Sequence, residues 1–459
     1  MRSAALSVDI TPPVGLPIGG NVRKDNISRG VHDKLFCNII LLEDEKEKVC
    51  FLSLDLLGLH YDSCNQIKTA VSRKTGLKTG KIVINCIHTH SGPDVLDFFK
   101  EEISCECLEY VSNISREIAD GVAIAINGLQ ETKIRVSKSE IHDLSFNRRL
   151  VMKDGLMKMN WEYPEEGEVS RVAGPIDPEL IAVSLADNDG GIKALIINFA
   201  LHPAVLVGQD WLWSRDYVNY LDSCIKRALG KDVVILFMNG AEGNINHIDF
   251  RNKNQGRGFE EAERIGEKLG EYVLETIKTS APEENNHRLV SLASAKTAVP
   301  AASNYLACVS SEIELPFRKI SNKEIDDAAE LWEKCGGVVP ALVDGCPDEI
   351  YAAQIIKLSK REKACAATEI MAIKLTEDTV SLTLPGEVFT EFGLEIKKAS
   401  GYQNTIIIGL ANDCIGYIPT KEAFSEGGYE IKTATSSQLD PMAGSILVNK
   451  VLELLNKLN

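Results

Sequence analysis

KIVINCIHTHSGP, residues 81–93, is the stretch that decides how this chain folds. Lys81 to Ile87 is short, rich in β-branched residues, and bounded by Gly80 and by Ser91-Gly92-Pro93, the marks of a buried strand. Its tail carries two histidines. Side chains two apart on extended backbone point the same way, so His88 and His90 can converge on one object at the strand's carboxyl end. A metal ion is the natural candidate. The competing reading leaves one imidazole satisfied in the core and the other in solvent.

Similar apolar, β-rich runs recur at Leu35 to Leu42, Val49 to Leu57, Ala194 to Phe199, Val233 to Met238, Ile370 to Leu375, Val380 to Leu384 and Thr405 to Leu410. Many are too uniformly apolar to have one wet face, which favours central strands covered on both sides. Amphipathic segments lie between them, such as Leu108, Val111, Ile114, Ile118 and Val122, and again Ala262, Ile265, Leu269 and Ile277. The fold class that follows is α/β, a layered mixed β-sheet domain with flanking helices. A last helix is expected from Asp440-Pro441 to the chain's end. No linker divides the chain, so residues 1–459 are read as one large domain, with 281–366 as a cap-like subregion within it.

Unusual polar residues repeatedly follow these runs. Asp55 comes after Val49 to Leu54, His88 and His90 after Lys81 to Ile87, and His202 after Ala194 to Phe199. Asn239 to His247, Glu387, and Asn412-Asp413 with Tyr417 follow the others. In open α/β sheets ligands bind beyond the carboxyl ends of strands, where residues distant in sequence meet, so a single site is the economical reading. Each member also has a structural explanation: Glu387 resembles a helix start, and Tyr417 an ordinary half-buried aromatic. Together, histidines plus a carboxylate match the donor set of a catalytic zinc site, whose bound water has a pKa near ~7 and supplies hydroxide for hydrolysis.

Composition narrows the partners. A formal charge of −16 opposes nonspecific binding to nucleic acid or anionic membrane. The amino terminus lacks a signal-like apolar core, and no apolar run has the ~18 or more residues of a spanning helix, so stable membrane insertion is not expected. Twelve scattered cysteines without a C-x-x-C pair read as reduced thiols, consistent with a cytoplasmic protein acting on a small-molecule substrate. The sequence does not fix the oligomeric state.

Taken in order, Val8-Asp-Ile-Thr-Pro-Pro13, Gly30-Val-His-Asp33, Ser53-Leu-Asp55, His88-Thr-His-Ser-Gly-Pro93, Phe146-Asn-Arg148, Phe199-Ala-Leu-His202, Leu384-Pro-Gly-Glu387 and Gly416-Tyr-Ile-Pro-Thr420, followed by Gly427-Gly-Tyr-Glu430, form a distinctive series. In this series the sequence resembles the catalytic domain of the neutral/alkaline non-lysosomal ceramidase family. The resemblance implies a zinc-dependent amidase holding one Zn2+ per chain, with His88, His202, Glu387 and Tyr417 on the family's zinc ligands. It places His90, Arg148 and Tyr429 on the second catalytic layer. There His90 would carry a proton to the leaving amine, Tyr429 would donate to the developing oxyanion, and Arg148 would orient the substrate or support the oxyanion.

Two departures refine this. The family's Gly-Asp-Val-Ser-Pro-like segment reads Gly243-Asn244-Ile245-Asn246-His247 here, which removes the serine hydroxyl and leaves Asn246 as the candidate substrate-binding residue. Secreted members carry a targeting segment and a carboxyl-terminal immunoglobulin-like domain, and neither is read in this chain. The expected reaction is therefore hydrolysis of the amide bond of a soluble N-acylated amine rather than of membrane ceramide. The alternatives are a zinc-dependent esterase or other hydrolase of a small substrate, and a non-catalytic metal-binding member of the fold.

Overall fold

In the computed structural model, residues 1–22, 25–100, 102–279, 306–338 and 347–458 are described. Three larger sheets are present. The first has the order Ile82–Cys86, Lys48–Leu54, Phe36–Glu43, Arg2–Asp9, Gln130–Glu131. The second runs Val234–Asn239, Ile192–Phe199, Glu179–Ala186, Lys133–Glu140, and the third Ala307–Pro316, Cys365–Lys374, Thr379–Thr383, Asn404–Ile408.

The three share a construction. In each, one terminal pair of strands is parallel and the others are antiparallel. A parallel pair needs a crossover connection. Here each crossover contains a helix: Tyr61–Thr75, Tyr217–Leu229 and Thr390–Ala399 respectively.

Burial on both faces explains the uniformly apolar strands. Ile39 and Leu41 meet the helical residues Ile67, Val71, Ile114 and Ile118, while the alternate residues Ile40 and Leu42 point the other way. They enter a central cluster with Val183 and Ile196 of the second sheet and Ile373, Ile406 and Ile408 of the third. The outer faces of those two sheets are covered in turn, by Leu221, Ile265 and Leu269 on one and by Ile396, Leu447 and Val451 on the other. The layers are thus sheets packed inward on each other with helices outside. None of the sheets closes into a barrel among the described residues.

Polar side chains lock the parallel edges together. Ser53 Oγ donates to the Phe237 carbonyl (2.7 Å), and Asn198 Nδ2 to that of Ile407 (2.7 Å). The Cys86 N–H donates to Leu410 O (3.2 Å), and the Gly409 N–H to Asn239 O (2.8 Å). The carboxyl ends of all three edges are therefore neighbours, and the loops that leave them share one space.

One expectation needs adjustment. The last helix spans Ala443–Leu455, because Asp440 Oδ1 accepts from the Met442 N–H in a turn that precedes it. The cap-like subregion 281–366 lies partly outside the described residues. Within it, Ala307–Pro316 is the edge strand of the third sheet, and the helices Asn322–Lys334 and Asp348–Ser359 pack on each other.

Candidate metal centre

His88 leaves the first parallel edge with φ +74, a left-handed conformation that few non-glycine residues adopt. Its N–H bonds Leu56 O, and its Nδ1–H donates to Leu57 O (2.6 Å), which leaves Nε2 as the inward-facing atom. The extended alternation expected to align His88 with His90 is therefore broken at His88. The rings nevertheless stand 5.0 Å apart, edge to face, because the turn carries both inward.

His202 follows the second edge pair, with its Nε2 3.1 Å from His90 Nε2 and its ring centroid 4.5 Å from that of His88. Glu387 follows the third. Its N–H bonds Gly416 O, and it pairs in register with Tyr417 in a two-residue parallel ladder. Glu387 Oε2 lies 3.4 Å from His88 Nε2 and has no hydrogen-bond partner among the described residues, although the residue is only 4% exposed. Donor atoms of His88, His90 and His202 lie within 4.8 Å of one another, as do those of His202, Glu242 and Glu387. Both trios could hold a metal ion.

The other half of the pocket is aromatic and cationic. The Tyr417 and Tyr429 hydroxyls are 3.1 Å apart, and the Arg148 guanidinium lies over both rings, 5.5 and 5.1 Å from their centroids. Arg148 donates through Nη2 to Gly243 O (2.7 Å) and through Nε to Glu430 Oε1 (3.0 Å), with Nη1 3.5 Å from His202 Nδ1. Glu430 gives its other oxygen to Arg149 Nη1 at 2.8 Å. Trp161, exposed on its outer side, stands 5.5 Å from the Tyr429 ring.

Burial and charge set the protonation states. For His88 burial acts to lower the pKa, but the Glu387 and Glu242 charges outweigh it and push it up to about 9. His90 and His202 are held well below the usual imidazole range, by burial first and then by the neighbouring positive charge of His88. Both are neutral at neutral pH. Burial raises both phenols, helped at Tyr417 by Glu387 and opposed at Tyr429 by Arg148, so each keeps its proton.

The seven residues His88, His90, Arg148, His202, Glu387, Tyr417 and Tyr429 thus meet in one cluster. Asn246 lies on the strand that pairs with Phe146–Asn147, and its amide is engaged with Asn160: Asn160 Nδ2 donates to Asn246 Oδ1 (2.6 Å) and Asn246 Nδ2 to Asn160 Oδ1 (2.9 Å). Other strand-exit residues brace the scaffold instead. Asp55 accepts from the Phe36 N–H and faces Arg215, Asn412 accepts from the Ile84 N–H, and Asn239 ties Leu201 to Ile87. Glu242 and Glu430 had not been singled out. Glu242 had a faint signal, a carboxylate among small residues just past a buried strand, and Glu430 had none beyond its place in a motif.

Fold and site together define an α/β protein with a buried His/carboxylate/Tyr pocket fit for a metal ion. The family described as neutral/alkaline non-lysosomal ceramidase, N-terminal, matches residues 5–240. The chain belongs to this family. Over 221 residues it is 24% identical to a neutral ceramidase of Drosophila pseudoobscura pseudoobscura, covering 46% of this chain and 30% of that protein. Over 149 residues it is 27% identical to a neutral ceramidase of Drosophila melanogaster, covering 30% of this chain and 21% of that one. The matched stretch is thus less than a third of either relative. The crystal structure of neutral ceramidase from Pseudomonas aeruginosa superposes with a TM-score of 0.73 at 16% identity, over 99% of this chain and 74% of that one. A ceramidase complexed with C2 gives 0.70 at 14% identity, with the same coverages. These solved structures share the fold.

Proposed function

We propose that this chain is a zinc-dependent hydrolase that cleaves the amide bond of a small N-acylated amine. The observation that carries the reading is Glu387 Oε2, a buried carboxylate oxygen without a hydrogen-bond partner among the described residues, facing a histidine nitrogen whose ring is fixed from behind by Leu57 O. Orphaned buried acceptors are rare in native folds, and a metal ion taking the place of the His88 Nε2 proton would give this one a partner. His88, His202, Glu387 and Tyr417 would hold one zinc ion. Bound zinc supplies a water of pKa near ~7 and polarises the scissile carbonyl.

The remaining steps belong to side chains. Tyr429, protonated at neutral pH, donates to the carbonyl oxygen as charge develops on it, and the Arg148 guanidinium beside it supports the same charge. His90 is neutral and its Nε2 faces the cluster, 3.1 Å from His202 Nε2, so that nitrogen can take a proton from the attacking water and deliver it to the leaving nitrogen. Asn246 would contact substrate through the second hydrogen of Nδ2, the first being given to Asn160. A serine nucleophile has no place in this scheme.

The amine portion is proposed to be soluble, such as an amino sugar or a modified amino acid. The net charge of −16 disfavours anionic bilayers, and among the described residues no helix is long and apolar enough to cross a membrane. Every described cysteine is free, which fits the proposed cytoplasmic setting. The test is amine release from a panel of N-acyl amino sugars, N-acyl amino acids, short-chain ceramides and matched esters. Zinc-dependent turnover of an amide supports the reading. Turnover of esters alone moves the chain to the esterase alternative, and no turnover of any member with zinc bound favours the non-catalytic one.

A further inference from the structure

Glu242 is buried at 1% exposure in the loop after Val234–Asn239, and among the described residues its carboxylate has a close ion-pair neighbour in His202 but no well-aligned hydrogen bond. Its Oε2 lies 2.5 Å from His202 Nδ1. Gly243, the next residue, leaves no room for a side chain against the Glu387 backbone, and its N–H donates to Val388 O (2.9 Å). The loop is thus pinned to the segment carrying Glu387, and Glu242 is fixed facing His202 from behind.

A solvent-excluded carboxylate with no donors is expensive unless a positive charge or a polarised N–H faces it. The geometry offers the second, through His202. A hydrogen on His202 Nδ1, 2.5 Å from Glu242 Oε2, would leave the Nε2 lone pair facing the cluster, toward His90 Nε2 at 3.1 Å and close to His88. A carboxylate behind a ligating imidazole fixes its tautomer and raises its basicity. It also gives the pocket a second negative charge beside Glu387, which matches a dication.

We propose that Glu242 is a positioning residue for the metal centre: it accepts the Nδ1 proton of His202, holds Nε2 as the ligating atom, and balances the second charge of the ion. This rests on the metal-dependent reading above and adds a residue to it. Glu242 does not touch substrate in this account.

The test is zinc affinity by chelator competition on the purified full chain as wild type, Glu242→Gln and Glu242→Ala, with metal stoichiometry and circular dichroism on each. Wild type is expected to hold one ion. Glu242→Ala should bind it roughly 10- to 100-fold more weakly with unchanged secondary structure. Glu242→Gln, which keeps an acceptor for Nδ1–H, should fall between the two. Equal affinity in all three proteins would overturn the proposal while leaving the metal-dependent reading intact, as would two ions in wild type and one in Glu242→Ala, which makes Glu242 a direct ligand of a second ion. No transition metal in wild type would overturn both.

Discussion

Glu387 and Tyr417 are register partners in a two-residue parallel ladder, bound through the Glu387 N–H and Gly416 O at 2.9 Å. Backbone pairing, rather than side-chain reach, therefore makes neighbours of a carboxylate and a phenol from two different strand exits. Gly386 and Gly416 both have positive φ here, and a Cβ on either would collide with facing backbone, so the ladder depends on their being glycine.

The Tyr429 hydroxyl is assigned to the oxyanion and not to the metal. Tyr429→Phe is expected to lower kcat on an accepted amide by roughly 100- to 1000-fold, the usual loss of one oxyanion donor. Its zinc content should equal that of wild type. Unchanged turnover would remove Tyr429 from the mechanism.

Glu430 accepts from two consecutive arginines and is fully buried. Glu430→Ala leaves two buried cations without their shared partner, so a loss of about 3–5 kcal/mol is expected. Urea unfolding monitored by fluorescence measures it, and a loss below about 1 kcal/mol would mean that the backbone acceptors of Arg148 and Arg149 suffice.

Gly20 has φ +88, and a Cβ built there would sit 2.6 Å from His90 Nδ1. Gly20→Ala therefore strains the loop and displaces the proposed proton carrier while leaving the proposed zinc ligands in place. A fall in kcat of roughly 10- to 100-fold with unchanged metal content is expected. Wild-type kcat would show that His90 need not be held where it stands.

Asp97 lies 2.9 Å from His60 Nε2 and 3.3 Å from Lys357 Nζ. Burial opposes its ionisation, but these partners outweigh it and bring its pKa down to about 2. A carboxylate depressed in the folded state stabilises above its unfolded pKa, and that contribution is lost as pH falls through the folded value. Asp97→Asn should thus be less stable than wild type by about 1 kcal/mol at pH 6, allowing for the residue's partial exposure. The difference should shrink between pH 4 and pH 2. A gap that stays constant across this range would exclude the ion pair as its source.

How much of this was legible follows from what burial does to sequence. Strands covered on both faces, such as Lys48–Leu54 and Ile82–Cys86, announce themselves as apolar runs. Lys133–Glu140 is an edge strand of mostly polar residues, and its pairing with Glu179–Ala186 left no comparable trace. His88, His202 and Glu387 stood out as polar residues at strand exits. The same signal also marked Asp55, Asn239 and Asn412, which tie strands together, because a polar side chain at a strand end can serve either a ligand or a neighbouring backbone. Glu242 and Glu430 were obscured because their meaning depends on His202, Arg148 and Arg149, residues far away in sequence that only the packing of the three sheets brings alongside.

The central claim is that this pocket holds a metal ion through Glu387 and the histidines. Inductively coupled plasma mass spectrometry on purified wild type and Glu387→Ala tests it most directly. The account expects about one zinc per chain in wild type, matching one site of this kind, and loss of that zinc in the variant. Wild type without a transition metal after zinc is supplied, or a variant that keeps its zinc, would contradict it.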